Sequence, residues 1–187
     1  MGVVGASRRM QIATVLRALD GALIVAYCDV DLARAEQAAS ALDARPFTDF
    51  ADFLASADAV VIASPIPAHA AQVEAALATG IHVLCEVLPC STIAEARSLV
   101  RAVRGSRATY MLAENFCFLG EVELVQQLRA EGLFGEVYYT ESDHLLDICD
   151  LWRTSNGLLA WRGTRDHGVS CTHRLDPLLA IVDDRIA

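Results

Sequence analysis

Gly5 closes the short apolar run that opens the chain, and Asp29 closes a second run, Ala22 to Cys28, 24 positions after Gly5. A glycine can make the tight turn from a strand into a helix, and the helix N-terminus beyond it offers backbone N–H groups to an anion. A carboxylate at the end of the next strand, roughly 20 residues on, accepts hydrogen bonds from ribose hydroxyls. That is the chemistry of a dinucleotide site. The carboxylate repels a 2′-phosphate, so it favours NAD over NADP. The turn itself reads Gly5-Ala6-Ser7-Arg8-Arg9-Met10. Of the three glycines in the dinucleotide fingerprint only Gly5 is present; Ser7 and Met10 stand at the others. The Ser7 hydroxyl can donate to a pyrophosphate, and Arg8 can pair with one at the helix N-terminus. Two bland readings stay open: a plain strand-to-helix turn at Gly5, and a helix N-cap at Asp29, with Asp31 competing for that role.

Other chemistry is narrowed by composition. All 15 basic residues are arginine. Without lysine the chain has no Schiff-base amine and no P-loop lysine. The six cysteines contain no CxxC pair, which argues against zinc or iron–sulfur centres, and no metal is expected. Cys28 and Cys85 fall in apolar runs as buried thiols, which suits a reducing cytoplasm. The net charge of −9 disfavours nucleic acid and anionic membrane surfaces as partners. No signal peptide precedes the first strand pattern. The apolar stretch 59–85 is interrupted by prolines, His69, Gln72, Glu74 and Gly80, so it reads as no membrane span.

The elements that must carry these residues alternate. Strand patterns fall at 2–5, 22–28, 58–63, 81–85 and 108–113. Helical patterns fall at 8–19, 31–42, 67–79 and 92–104, and Thr92 with Glu95 makes a capping-box pair. The strands are continuously apolar, as expected when helices cover both faces of a parallel sheet. The fold class is therefore α/β, a doubly wound Rossmann-type sheet over residues 1–118. Residues 119–187 predict an incomplete α+β domain. It has a helix near 120–131, a turn at Gly132 to Gly135, a long strand over 136–144 and a last helix near 173–182.

Further segments resemble the Gfo/Idh/MocA family of NAD(P)-dependent oxidoreductases. They are Gly2-Val3-Val4-Gly5, Cys28-Asp29-Val30-Asp31, Phe47-Thr48-Asp49-Phe50, Val61-Ile62-Ala63-Ser64-Pro65 with His69, Gly80 to Glu86, and Gly132 to Val137. A branch containing NAD-dependent glycoside hydrolases is also similar. The similarity runs through Ala113-Glu114-Asn115-Phe116-Cys117-Phe118, Asp150 to Arg153, Leu159 to Gly163 and Thr172-His173-Arg174-Leu175-Asp176-Pro177. The resemblance implies an N-terminal Rossmann domain, NAD, and a small carbohydrate-like substrate. It implies hydride transfer or, in the hydrolase branch, glycoside cleavage through transient oxidation. By the same resemblance Ser64, Pro65, His69 and Asn115 bind cofactor. Glu86 lies beside the nicotinamide with a catalytic role, and His173 is the acid/base.

Departures accompany these matches. Val87-Leu88 replaces the family's Lys-Pro after the glutamate, so a proton donor and a cis-proline are lost. Val169 stands where many members have Asp, four residues before the histidine, and Ser170 where the hydrolase branch tends to have Tyr. Local alternatives also stand. His69 could cap or pack near its helix, Glu86 could be a polar strand terminus, and His82 could be a satisfied core or edge histidine. Trp152 and Trp161 could be packing residues, and His144 and His167 have no metal-like spacing. The lone second-domain strand implies truncation, completion by another chain, or a homo-oligomer formed through the substrate-side sheet. A truncated, non-catalytic nucleotide-binding remnant is the rival reading.

Overall fold

The computed structural model describes residues 1–5, 9–143, 145, 147, 149–154, 156–160, 163 and 171–183, with the side chains of all but 9–11. The chain divides into two compact units, Met1–Ala113 and Glu114–Ala187.

The first unit holds six strands: β1 (Gly2–Val4), β2 (Ala26–Cys28), β3 (Arg45–Phe47), β4 (Ala59–Ile62), β5 (His82–Glu86) and β6 (Tyr110–Ala113). Between them run α1 (Arg9–Arg17), α2 (Leu32–Leu42), α3 (Phe50–Leu54), α4 (His69–Ala78) and α5 (Ile93–Gly105). The strands form one sheet in the order β3-β2-β1-β4-β5-β6, and every pairing is parallel. This is the doubly wound order with its reversal at β1 and β4.

Side chains alternate across the strands into two cores. Val4, Cys28, Ile62 and Cys85 pack on one face with Phe53, Val73, Leu77 and Leu99 from the helices. Val3, Tyr27 and Val61 pack on the other with Ala35, Ala38 and Ala39 of α2. On β1, β2 and β4 both faces are buried, which is why these strands lack the polar alternation of a half-exposed sheet. Gly2 is required by packing: a Cβ there would stand 2.6 Å from the fully buried ring of Phe53.

Caps set the helix starts. Asp31 is the N-cap of α2, accepting from Arg34 N–H at 3.2 Å. The Thr92–Glu95 capping box is present in both directions. Two elements were not expected from sequence, β3 and α3. Arg45-Pro46-Phe47 looks unlike a buried strand, and five residues are too few to show a helical period. Asp49 nonetheless starts α3 by accepting from Ala51 and Asp52 N–H.

The second unit contains α6 (Gly120–Ala130) and α7 (Thr172–Val182), which pack together and against a 3-10 turn at Phe116–Phe118. Gln126 Nε2 donates to the Ala180 carbonyl at 3.1 Å, tying α6 to α7. The division precedes Glu114 rather than following residue 118, because this 3-10 turn packs with α6 and α7. The strand expected over 136–144 is corrected: residues 136–143 form no strand, and His144 lies outside the described residues. A single extended segment without a ladder partner has nothing to hold it as a strand. Among the described residues no helix is long and apolar enough to cross a membrane.

Candidate functional site

In an open parallel sheet, ligands bind beyond the carboxyl ends of the strands, where the order reverses. Gly5 stands at that point. Its N–H donates to the Cys28 carbonyl at 3.2 Å, and its own carbonyl accepts from the buried Tyr27 hydroxyl at 3.1 Å. Gly5 has φ +119°, and a Cβ there would collide with the backbone of Ala63 and Ser64. The end of β1 is thus pressed against the end of β4, and only glycine allows it. Ser7 and Arg8 lie outside the described residues.

Asp29 directly follows β2 and is 7% exposed. Its Oδ1 accepts from Asp31 N–H at 3.0 Å, which fixes the carboxylate at the turn into α2. The N-cap of that helix is Asp31, so Asp29 is not the cap. Gly5 thus keeps the β1–β4 junction clear, and Asp29 holds a fixed carboxylate at the carboxyl end of the neighbouring strand.

Two further loops flank this edge. Ser64 and Pro65 follow β4, and the Ser64 hydroxyl donates to the Gln72 carbonyl oxygen Oε1. Pro65 precedes a short 3-10 turn, Ile66–Ala68. Glu86 ends β5, half-buried, and the Val87–Leu88 peptide after it is cis although its second residue is leucine and proline comes only at the next position. His69 is 1% exposed, and its Nδ1 stands 2.7 Å from the Leu88 carbonyl and its Nε2 2.6 Å from the Ser64 carbonyl. The ring therefore clasps the loop after β4 to the loop after β5. Both ring nitrogens face backbone carbonyls, one in each loop. His82 sits at the opposite end of β5, where Nδ1 accepts from Thr109 N–H at 2.9 Å.

Burial governs the nearby thiols. Burial first, then Asp29 and Asp49, pushes Cys28 up to about 11. Burial, Glu86 and Cys90 push Cys85 up to about 12. Neither is a thiolate near neutral pH, and all six cysteines are free.

The second unit brings together a group that sequence reasoning did not single out. His173 lies in the first turn of α7, and its Nδ1 stands 2.7 Å and 3.0 Å from the two carboxylate oxygens of Glu114. Glu114 is 7% exposed and also accepts from Phe116 N–H at 3.0 Å. The Phe116 ring stacks on the imidazole, with centroids 4.1 Å apart and planes 15° from parallel. Burial alone would raise the Glu114 pKa. Hydrogen bonds from Phe116, His173 and Thr172 outweigh it and hold the carboxyl below its ordinary value. Asp176 is shifted the other way, raised by burial and by Glu114 and only partly offset by His173. One signal could have found Glu114. Asp29, Glu86 and Glu114 are each an acid at the carboxyl end of an apolar strand. Asn115 follows it, exposed, before the 3-10 turn. Trp161 and His167 lie outside the described residues. Among the described residues no cluster of three or more His, Cys, Asp or Glu side chains could hold a metal ion.

A family model described as an oxidoreductase family with an NAD-binding Rossmann fold matches residues 1–114. D-apiose dehydrogenase of Paraburkholderia graminis is 32% identical over 126 residues, 66% of this chain and 34% of that protein. Glycosyl hydrolase family 109 protein 2 of Shewanella sp. strain ANA-3 is 28% identical over 179 residues, 86% of this chain and 39% of that protein. Among solved structures, the WlbA dehydrogenase from Bordetella pertussis, in complex with NADH and UDP-GlcNAcA, is 27% identical with a TM-score of 0.67. That match covers 73% of this chain and 41% of the other. The chain thus spans well under half the length of the relatives it matches.

Proposed function

Since the chain belongs to the Gfo/Idh/MocA oxidoreductase family, we propose that it is the nucleotide-binding part of an NAD-dependent oxidoreductase acting on a sugar or polyol-like substrate. The observation that carries this reading is the pairing of Gly5 with Asp29 at the reversal of strand order. Asp29 would bind the adenosine ribose hydroxyls and disfavour a 2′-phosphate. Ser64, Pro65 and Glu86 belong to the loops that would line the nicotinamide half, with His69 holding the first loop to the second. Asn115 and the turn residues Ser7 and Arg8 complete the proposed cofactor set. Bound NAD would supply the two-electron hydride acceptor or donor.

His173 is proposed as the acid/base. In the oxidative direction a substrate C–H leaves as hydride and the hydroxyl proton goes to the imidazole; in the reductive direction both return. The free thiols fit a reducing compartment such as the cytoplasm. Titration with NADH, followed by cofactor fluorescence, tests the reading. Saturable binding that NADPH does not reproduce is expected, and Asp29→Asn should erase the preference. No binding at millimolar NADH overturns the reading in favour of a remnant without cofactor.

A second reading is favoured by one observation. The glycoside-hydrolase relative extends over 86% of this chain, including most of the second unit, whereas the family model stops at residue 114. It predicts release of nitrophenol from nitrophenyl glycosides with NAD present and no net NADH.

A further inference from the structure

We infer that Glu114 is the positioning residue of His173, holding the neutral imidazole with its proton on Nδ1 and its basic lone pair on Nε2. An ionised carboxylate accepts hydrogen bonds and cannot donate one. Both Glu114 oxygens face Nδ1, at 2.7 and 3.0 Å, so that nitrogen must carry hydrogen. The carboxylate is itself fixed by Phe116 N–H, and the hydrogen bonds around it keep it ionised at neutral pH. The stacked Phe116 ring restrains the imidazole plane from turning. Other ionisable groups lie near the pair: Asp176 of α7 is acted on by both members, and Cys117 within the 3-10 turn is raised by burial, Asp176 and Glu114. Neither bonds to Nδ1 among the described contacts. Glu114 supplies orientation, tautomer and countercharge to a histidine 59 residues away. A histidine so held keeps its lone pair on Nε2, the ring nitrogen that does not face the carboxylate.

The use made of Nε2 rests on the oxidoreductase reading; the tautomer does not, so the two can fail separately. The full chain, labelled with nitrogen-15 in histidine, is measured by long-range proton–nitrogen NMR above the imidazole titration. The neutral His173 ring should show protonated Nδ1 and unprotonated Nε2. Glu114→Asp should keep that signature. Glu114→Gln and Glu114→Ala should move the ring toward the Nε2-protonated form, because an amide can donate as well as accept and alanine does neither. Unchanged far-ultraviolet circular dichroism, which reads α6 and α7 as well as the first unit, checks that each variant is folded. A wild-type ring protonated on Nε2, or a Glu114→Ala ring that keeps its proton on Nδ1, overturns the inference. With NAD and a sugar or polyol that turns over, Glu114→Gln should lower kcat on the order of 10²-fold while the KM for NAD holds. A loss confined to that KM also overturns it.

Discussion

The Nε2 of His69 lies 2.6 Å from the carbonyl of Ser64, five residues back, while its other nitrogen meets Leu88. A buried ring spanning two loops leaves a cavity, and at least one carbonyl without its donor, when it is removed. His69→Ala should therefore cost about 3 kcal/mol or more, adding an unsatisfied group to a cavity. Urea unfolding reads the loss, and NADH affinity should fall with it because both loops are released. A midpoint matching wild type would show that the clasp contributes nothing.

Gly5→Ala should be among the most damaging single changes in the first unit. The added carbon meets the backbone of Ala63 and Ser64, not a side chain that can swing aside, and φ +119° is unfavourable for alanine. Gly80→Ala is the control, since Gly80 has φ +79° but open space around it. Circular dichroism melts should show a loss of about 1 kcal/mol for Gly80→Ala and several times that for Gly5→Ala. Equal losses would mean that the crowding at β1 and β4 is relieved by a small shift.

Stability should carry an acid limb from Glu114. Its folded pKa is lowered, so the ionised form stabilises the fold fully above the unfolded glutamate value of about 4.3. That contribution is lost as pH falls through the lower folded value. The gap in Tm between wild type and Glu114→Gln should be widest near about pH 6 and close toward about pH 3. A gap independent of pH would show that the carboxylate charge does not stabilise the second unit.

The thiols should separate cleanly by reactivity. Cys28, pushed up to about 11, and Cys85, pushed up to about 12, are buried and protonated at about pH 8. Cys149 and Cys171 are exposed. Iodoacetamide should label Cys149 and Cys171 in the native chain and reach Cys28 and Cys85 only after denaturation, read by peptide mass spectrometry. Native labelling of Cys85 would contradict the closed core under β5.

The sheet was legible wherever a strand is buried on both sides. The mostly apolar runs at 58–63 and 81–85 appear as β4 and β5 within a residue or two; β4 is buried on both faces, and β5 buries Val83 and Cys85 on one face and leaves Leu84 half-buried on the other. β3 was not legible, since an edge strand needs burial on fewer sides and tolerates Arg45 and Pro46. The expected strand over 136–144 failed for the opposite reason: its pattern is strand-like, but pairing requires a neighbour that local sequence cannot supply. Gly5 and Asp29 could be picked out by their spacing, though the collision that makes Gly5 obligatory depends on Ala63. His173 was found only through resemblance. Val169 stands four residues before it where many family members have Asp, and the carboxylate on its ring comes from Glu114, far off in the chain. No periodicity encodes a contact of that separation.

Pro46 sits in β3 opposite Tyr27, at the flank of the sheet beyond β2. Its neighbours turn inward: Arg45 N–H reaches the Val25 carbonyl, and the Phe47 carbonyl receives Asp29 N–H. The amide that would point outward between them belongs to an imino acid and has no hydrogen to give. An incoming strand from any other molecule would meet a gap where its first donor should be. A single residue thus guards one margin of the protein against unwanted growth, on the side away from β6.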